Sequence, residues 1–464
     1  MANSNQSGSS TIKKAGTSPI GSGVTTKPTN TSKDVKIKTI TIHIFFDGTG
    51  NNIYNSAAHR DPELKHLDRP SQRSYTNYYS NIALLFEMMD ADNKNVFKFY
   101  VEGSGTTQYQ DDSPKLGMGA ASGNTGRVAR HNDLIGKLHH QIKASDVGYA
   151  NVIFNVYGFS RGAAWSRSFC HTIKKDKSLF KNSKINFVGI LDTVSSDGIE
   201  HYDDVKELGL DIGKLQDINY IFHLTAQNDY RKHFPLTRIK GAIKDGIGFE
   251  CSLPGAHSDI GGGYPEEYRE VNRKLTTDYR QDKEYIDYNW FVSKGYYTKK
   301  QLTEKPVTGR TAQEHGRLIQ VYAKRTVKFH YQFICFEILK AVAIKKAGYR
   351  ARKYHSASNP QNKNKKEHDA MKNIDKYLNE MKSDKILNAF YNKCYNYILA
   401  NYTKKGGGYA VPLLSDDKMK YIYGTCIHNS LEYGDIANKG SENNKINGNS
   451  SQPTRPMVID GFRK

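Results

Sequence analysis

Cysteine is scarce: five thiols are scattered through 464 residues, at no metal-ligand spacing. Neither a disulfide framework nor a zinc site is expected from them, and an odd number of dispersed thiols suits folding in a reducing compartment. No stretch approaches the run of about 18 uncharged apolar residues that marks a transmembrane helix. Residues 1–30 have no apolar core between their lysines, so a secretory signal peptide is not expected; export by another route stays open. No internal repeat is present. Acidic side chains are in deficit, 47 Asp and Glu against 68 Lys and Arg, for a net charge of +21. A surface of that sign attracts polyanions (nucleic acid, anionic lipid headgroups or an acidic protein) without choosing among them.

What is present is a rhythm. Residues 1–35 are rich in Ser, Thr, Gly, Asn and Lys and bury too little apolar surface to offset their ordering entropy, so disorder is expected there. Residues 441–464 form a polar C-terminal tail with the option of packing back on the core. Between them, apolar runs at 36–46, 96–101, 151–157, 185–191, 218–225 and 246–253 read as strands. Helical spacing covers 75–89, 128–145 and 161–173. Strands alternating with helices predict an α/β core over residues 36–265, a mostly parallel sheet with helices on both faces. Sites on such a sheet form at the carboxyl ends of the strands. From residue 266 the rhythm changes. Residues 311–347 read as a long helix or helix pair, and 370–381 and 386–400 as two more, so 266–440 is expected to be a helical cap. That cap is basic: residues 266–464 hold 37 Lys and Arg against 21 Asp and Glu, +16 of the total charge.

The most informative motif is Gly158-Phe159-Ser160-Arg161-Gly162, a G-x-S-x-G. A buried strand precedes it and a helix opening on small residues follows, the setting of a nucleophile elbow. Serine needs a base and an orienting acid to become nucleophilic, and in this setting the chain order is serine, acid, histidine. Asp192 ends the apolar run Phe187-Val188-Gly189-Ile190-Leu191, where a carboxylate reaches the site layer. Asp229, after the following strand, is the alternative acid; it could equally pair with Arg231 or Arg238. His257, in the glycine-rich Pro254-Gly255-Ala256-His257-Ser258-Asp259-Ile260-Gly261-Gly262-Gly263-Tyr264, is the candidate base. Asp259 is read as fixing that loop, since no clustered carboxylates with ligand spacing accompany it. The oxyanion donors are expected to be the N–H of Arg161 and an N–H of the loop after the first strand, at Gly48 or Thr49. That loop, Asp47-Gly48-Thr49-Gly50, lacks a P-loop pattern, so no nucleotide site is expected.

Four pieces thus stand in order: Phe46-Asp47-Gly48-Thr49-Gly50-Asn51, Gly158-Phe159-Ser160-Arg161-Gly162-Ala163, Val188-Gly189-Ile190-Leu191-Asp192-Thr193-Val194, and the segment from Pro254 to Tyr264. Together they resemble the α/β-hydrolase lipase family that includes type VI secretion phospholipase effectors. The resemblance covers roughly residues 36–265; Ile427-His428-Asn429-Ser430 and Arg455-Pro456-Met457-Val458 resemble the family's later segments. It implies a serine phospholipase acting on membrane glycerophospholipids, with the triad Ser160, Asp192 and His257 and no cofactor or metal. It favours Asp192 over Asp229. It also implies an antibacterial effector made in the bacterial cytoplasm, delivered without a signal peptide on a secretion spike protein to a target-cell membrane, reached from the periplasm. A cognate immunity protein in the producer goes with that role.

The basic region keeps two readings. Lysine-rich amphipathic helices can lie on anionic membrane, with Trp290, Phe291, Tyr296 and Tyr297 as interfacial aromatics. Alternatively it is a solvated cap packed on the core. Two other functions compete with the phospholipase: an esterase on a soluble or cell-wall ester, and a non-catalytic basic binding protein. No nucleic-acid motif is present, so nucleic acid is not an expected partner.

Overall fold

The apolar runs of the first half form strands buried on both faces, as a parallel sheet between helical layers requires. A computed structural model describes residues 38–431 apart from positions 93, 115–117, 119, 120, 176–179, 181, 196–204, 214, 216, 232, 278–287, 307–318, 353–368 and 405–408. It also describes Met457–Ile459 and Phe462–Arg463. The disorder expected over 1–35 lies outside the described residues. The strands are β1 (Ile40–Phe46), β2 (Val96–Val101), β3 (Val152–Phe159), β4 (Lys184–Leu191), β5 (Ile221–Ala226), β6 (Leu236–Thr237) and β7 (Gly248–Leu253). Then follow β8 (Glu267–Thr277), β9 (Leu302–Pro306), β10 (Ile319–Lys328), β11 (Tyr409–Ala410), β12 (Met457–Ile459) and β13 (Phe462–Arg463).

The central sheet has the order β11-β7-β5-β4-β3-β1-β2, with every neighbouring pair parallel. The chain runs from β1 outward to β2, then returns past β1 and builds the rest of the sheet on the other side. The reversal leaves a crevice between the carboxyl ends of β1 and β3, where open α/β sheets bind their ligands. Alternate strand residues feed two cores. Phe45, Tyr157, Phe187 and Phe222 pack under the helices Asn81–Met88 and Gln332–Ala347. Ile44, Phe46, Val156 and Val188 pack under Arg127–Ala144 and Arg161–Lys175. The α/β-hydrolase layering read from the sequence is therefore present, as are helices in the C-terminal region.

The C-terminal region differs from a purely helical cap. The expected helix over 311–347 is interrupted: 311–318 lie outside the described residues, β10 is a strand, and only Gln332–Ala347 is a long helix. β10 is the centre of a separate antiparallel sheet, β8-β10-β9. Helix Gln332–Ala347 is buried nearly all round and lies against β4, so it is part of the core layer. The remaining two helices are found at Asp369–Ser383 and Lys385–Asn401. Phe291, Tyr296 and Tyr297 are buried in the core and Trp290 is half-buried against it, so these aromatics do not form an exposed interfacial belt. Near the end of the chain, β12 pairs in parallel with β6. Among the described residues no helix is long and apolar enough to cross a membrane.

Candidate active site

The site grows from the turn between β3 and the helix Arg161–Lys175. Ser160 sits at φ +59°, a left-handed conformation that a non-glycine residue adopts only when its surroundings impose it. Two glycines make the turn possible by close approach. A Cβ on Gly162 would lie 2.2 Å from the Asp47 carbonyl oxygen, and one on Gly158 2.6 Å from Ala163 Cα. The turn is tied to the end of β4 from both sides: Ser160 N–H donates to Leu191 O at 3.0 Å, and Val194 N–H donates to Ser160 O at 3.3 Å.

His257 opens the short helix His257–Gly261, where a glycine-rich loop was expected. Its Nε2 lies 2.7 Å from Ser160 Oγ, and its Nδ1 lies 2.6 Å from Asp192 Oδ2. The other Asp192 oxygen accepts the Ala226 N–H at 2.7 Å. The three residues form one buried line, with Ser160 5% exposed, His257 4% and Asp192 0%. Burial lowers the His257 pKa below its ordinary value, partly opposed by the Asp192 carboxylate, so the ring is neutral at pH 7. Phe159 and Phe234 pack on the ring, with centroids at 4.7 and 5.3 Å.

Asp229 is close by and does something else. It takes a bidentate bond from Arg231, Nε to Oδ1 at 2.9 Å and Nη2 to Oδ2 at 2.6 Å. Its Oδ2 also accepts the backbone N–H of His257 at 3.1 Å. Asp192 therefore meets the imidazole and Asp229 the main chain. Asp259 fixes the loop: it accepts the Ala256 N–H at 2.8 Å, the His428 N–H at 3.0 Å, and lies 2.6 Å from His428 Nδ1. The His428 ring in turn stacks on Tyr264 at 3.6 Å.

The loop after β1 departs from expectation at one atom. Gly48 N–H donates to the Asp47 carboxylate at 2.7 Å, because that buried carboxylate needs donors; it also takes bonds from Ser80 Oγ at 2.6 Å and Tyr100 OH at 2.5 Å. The Gly48 N–H is thus committed within its own loop, and Thr49 is left as that loop's candidate oxyanion donor. Arg161 heads its helix, where main-chain N–H groups lack intrahelical acceptors. Its guanidinium folds away onto Met118 O and Ser104 Oγ, at 2.5 and 3.3 Å. Burial pushes the Asp47 carboxyl up to about 6. Among the described residues no three His, Cys, Asp or Glu side chains gather as metal ligands.

Sequence reasoning passed over a neighbouring buried cluster, His223, Glu250 and Thr193. The available signal was a titratable residue inside an apolar strand, as in Phe222-His223-Leu224 and Phe249-Glu250-Cys251.

Fold and site together define an α/β-hydrolase architecture with a serine, a histidine and a carboxylate in line at the switch point. Comparison with known proteins narrows this. Residues 170–294 match the sequence model for the catalytic domain of Tle1-like phospholipase effectors of the type VI secretion system, a span that contains Asp192, Asp229 and His257 and begins after Ser160. The chain is also similar to the solved structure of the Tle1 effector bound to the VgrG spike from the type 6 secretion system. That match has 19% identity, covers 91% of this chain and 94% of the other, and has a TM-score of 0.54. A crystal structure of an uncharacterized protein from Pseudomonas aeruginosa matches over 49% of this chain and 42% of its own, at 20% identity and TM-score 0.33. No curated protein matches the sequence. The motif resemblance to type VI secretion phospholipase effectors is borne out by the family match, and the α/β fold by the structural one.

Proposed function

We propose that the protein is a serine phospholipase A that hydrolyses acyl esters of membrane glycerophospholipids. The observation that carries the reading is the hydrogen-bonded line from Ser160 through His257 to Asp192, at 2.7 and 2.6 Å. The match to phospholipase effectors supports the choice of substrate class. His257 Nε2 takes the Ser160 proton while Asp192 holds the imidazole and stabilises the imidazolium. Ser160 Oγ attacks the acyl carbonyl, and the N–H groups of Arg161 and Thr49 receive the oxyanion. The lysophospholipid leaves with the proton from His257. Water, activated by the same histidine, then releases the fatty acid and regenerates the serine.

The biological setting proposed with it is an antibacterial effector carried by a secretion spike; the family match supports it, and the similar Tle1 effector is bound to VgrG. A cognate immunity protein would protect the producer, and the target membrane would be reached from the periplasm. The test of substrate class sets phospholipid vesicles beside a short-chain soluble ester. Fatty acid and lysophospholipid from vesicles are expected. Activity confined to the soluble ester would replace the phospholipase with an esterase.

A further inference from the structure

Beneath the acid turn lies a second histidine–carboxylate pair that the mechanism above does not use. His223 on β5 and Glu250 on β7 are register partners, 0% and 2% exposed. His223 Nδ1 lies 3.0 Å from Glu250 Oε2. The carboxylate is otherwise surrounded by donors: Arg238 Nε at 2.5 Å and the Ile239 N–H at 3.0 Å. Against the opposing effect of burial, the His223 bond first and then Arg238 and the Ile239 N–H hold its pKa down to about 2. Glu250 is therefore an acceptor, His223 donates from Nδ1, and Nε2 carries the lone pair.

That lone pair faces the catalytic turn. The Thr193 N–H donates to His223 Nε2 at 3.1 Å, and Thr193 Oγ1 lies 3.2 Å away. The Thr193 N–H belongs to the peptide that follows Asp192, and Asp192 sits at φ +41°, in the left-handed region that few non-glycine residues adopt. The same turn is bonded to the nucleophile, through Leu191 O and the Val194 N–H, and to β6, through Thr237 N–H to Thr193 O at 2.9 Å. One imidazole nitrogen thus holds the peptide that follows the acid, within the turn that brackets Ser160.

We propose that His223, oriented by Glu250, is a positioning residue of the catalytic centre: its Nε2 holds the Thr193 amide, and with it the strained turn that aims the Asp192 carboxylate at His257. The proposal rests on the serine-hydrolase reading. A buried histidine that only filled space would leave the aim of Asp192 unchanged when replaced by a ring of similar size.

Two measurements test it. In wild-type protein with 15N-labelled histidine, His223 must be the Nδ1–H tautomer with an unprotonated Nε2 at neutral pH; an Nε2–H tautomer overturns the proposal without any variant. In the second, His223→Phe removes the acceptor and His223→Gln restores an amide oxygen near the Nε2 position. The readouts are the rate of Ser160 labelling by a fluorophosphonate and the downfield proton resonance of the His257–Asp192 hydrogen bond. H223F is expected to label roughly 10–100-fold more slowly and to lose or shift the resonance, as a misplacement of about 1 Å would cause. H223Q is expected to stay within about threefold of wild type with the resonance in place. An unchanged resonance and labelling rate in H223F overturns the proposal. A wild-type Ser160 that fails to label would overturn the nucleophile reading instead, and the tautomer and the resonance would still decide on His223.

Discussion

At the residue scale the distinction that matters is between two carboxylates. Asp192 and Asp229 both end up beside His257, one against the ring and one against its backbone N–H. Asp192→Asn is expected to lower kcat by about 10⁴, because the wrong tautomer of His257 is then held. Asp229→Asn keeps the ring contact but strips a buried guanidinium of its carboxylate. Its main effect should be a loss of about 3 kcal/mol in stability, with kcat falling far less. Urea unfolding and steady-state kinetics on both variants separate the two roles. Ser160 and His257 were legible because motif and chain order point at them. Which aspartate meets the imidazole is not settled by the residues alone, since both follow strands, and only the direction of the side chain off each strand end decides it. Protonation offers a second check. His257 must be neutral to act as base, and burial lowers its pKa below 6.5. The acid limb of kcat/KM is therefore expected below pH 6.5; a limb above that value would contradict a buried, neutral His257.

At the element scale, close approach governs what the sequence can tolerate. Gly162→Ala drives a methyl into the Asp47 carbonyl, 2.2 Å away, and is expected to cost about 3 kcal/mol and most of the activity. Gly136→Ala, in the exposed-edge helix Arg127–Ala144, meets nothing within 4 Å and is expected to gain about 0.5–1 kcal/mol. Chemical denaturation of the pair checks both signs. The parallel strands were readable because their apolar runs are bounded by turn residues. β10 is hard to read from the sequence for a definite reason. Val321, Ala323, Arg325 and Val327 face inward and Lys324, Thr326 and Lys328 outward, a strict alternation. Arg325 conceals it, because a charged residue reads as exposed until its buried partner, Glu270 at 2.8 Å, is known. Helix Gln332–Ala347 follows after one 3-10 turn, Phe329–Tyr331, and is apolar round most of its circumference, so no boundary marks the change. The expected helix over 75–89 is likewise split, since Ser80 caps a new helix at Asn81 and its Oγ also donates to Asp47.

At the scale of the whole molecule, buried ion pairs set the acid response. Glu250 and Glu270 are both held to a pKa of about 2, against an ordinary 4.5. Carboxylates with depressed pKa contribute stability that is present above 4.5 and lost as pH falls toward 2. Asp47 acts in the opposite sense: raised to about 6, it favours the folded state below its ordinary 3.8 and loses that contribution as pH rises through 6. With two glutamates against one aspartate, the urea midpoint is expected to fall steeply between pH 4.5 and 2; a flat midpoint there would show that these pairs do not hold the fold. The charge excess also takes a more definite form. Most of it lies after residue 265, in a region that contributes a helix to the core and whose aromatics at 291, 296 and 297 are interior. The function proposed for the chain is cleavage of phospholipid acyl esters through Ser160. Fatty-acid release from glycerophospholipid vesicles, measured on wild type and on Ser160→Ala with matched near-ultraviolet circular dichroism, tests it most directly. Equimolar fatty acid and lysophospholipid are expected from wild type and background from the variant; equal release by both, or none by either, would refute cleavage through Ser160.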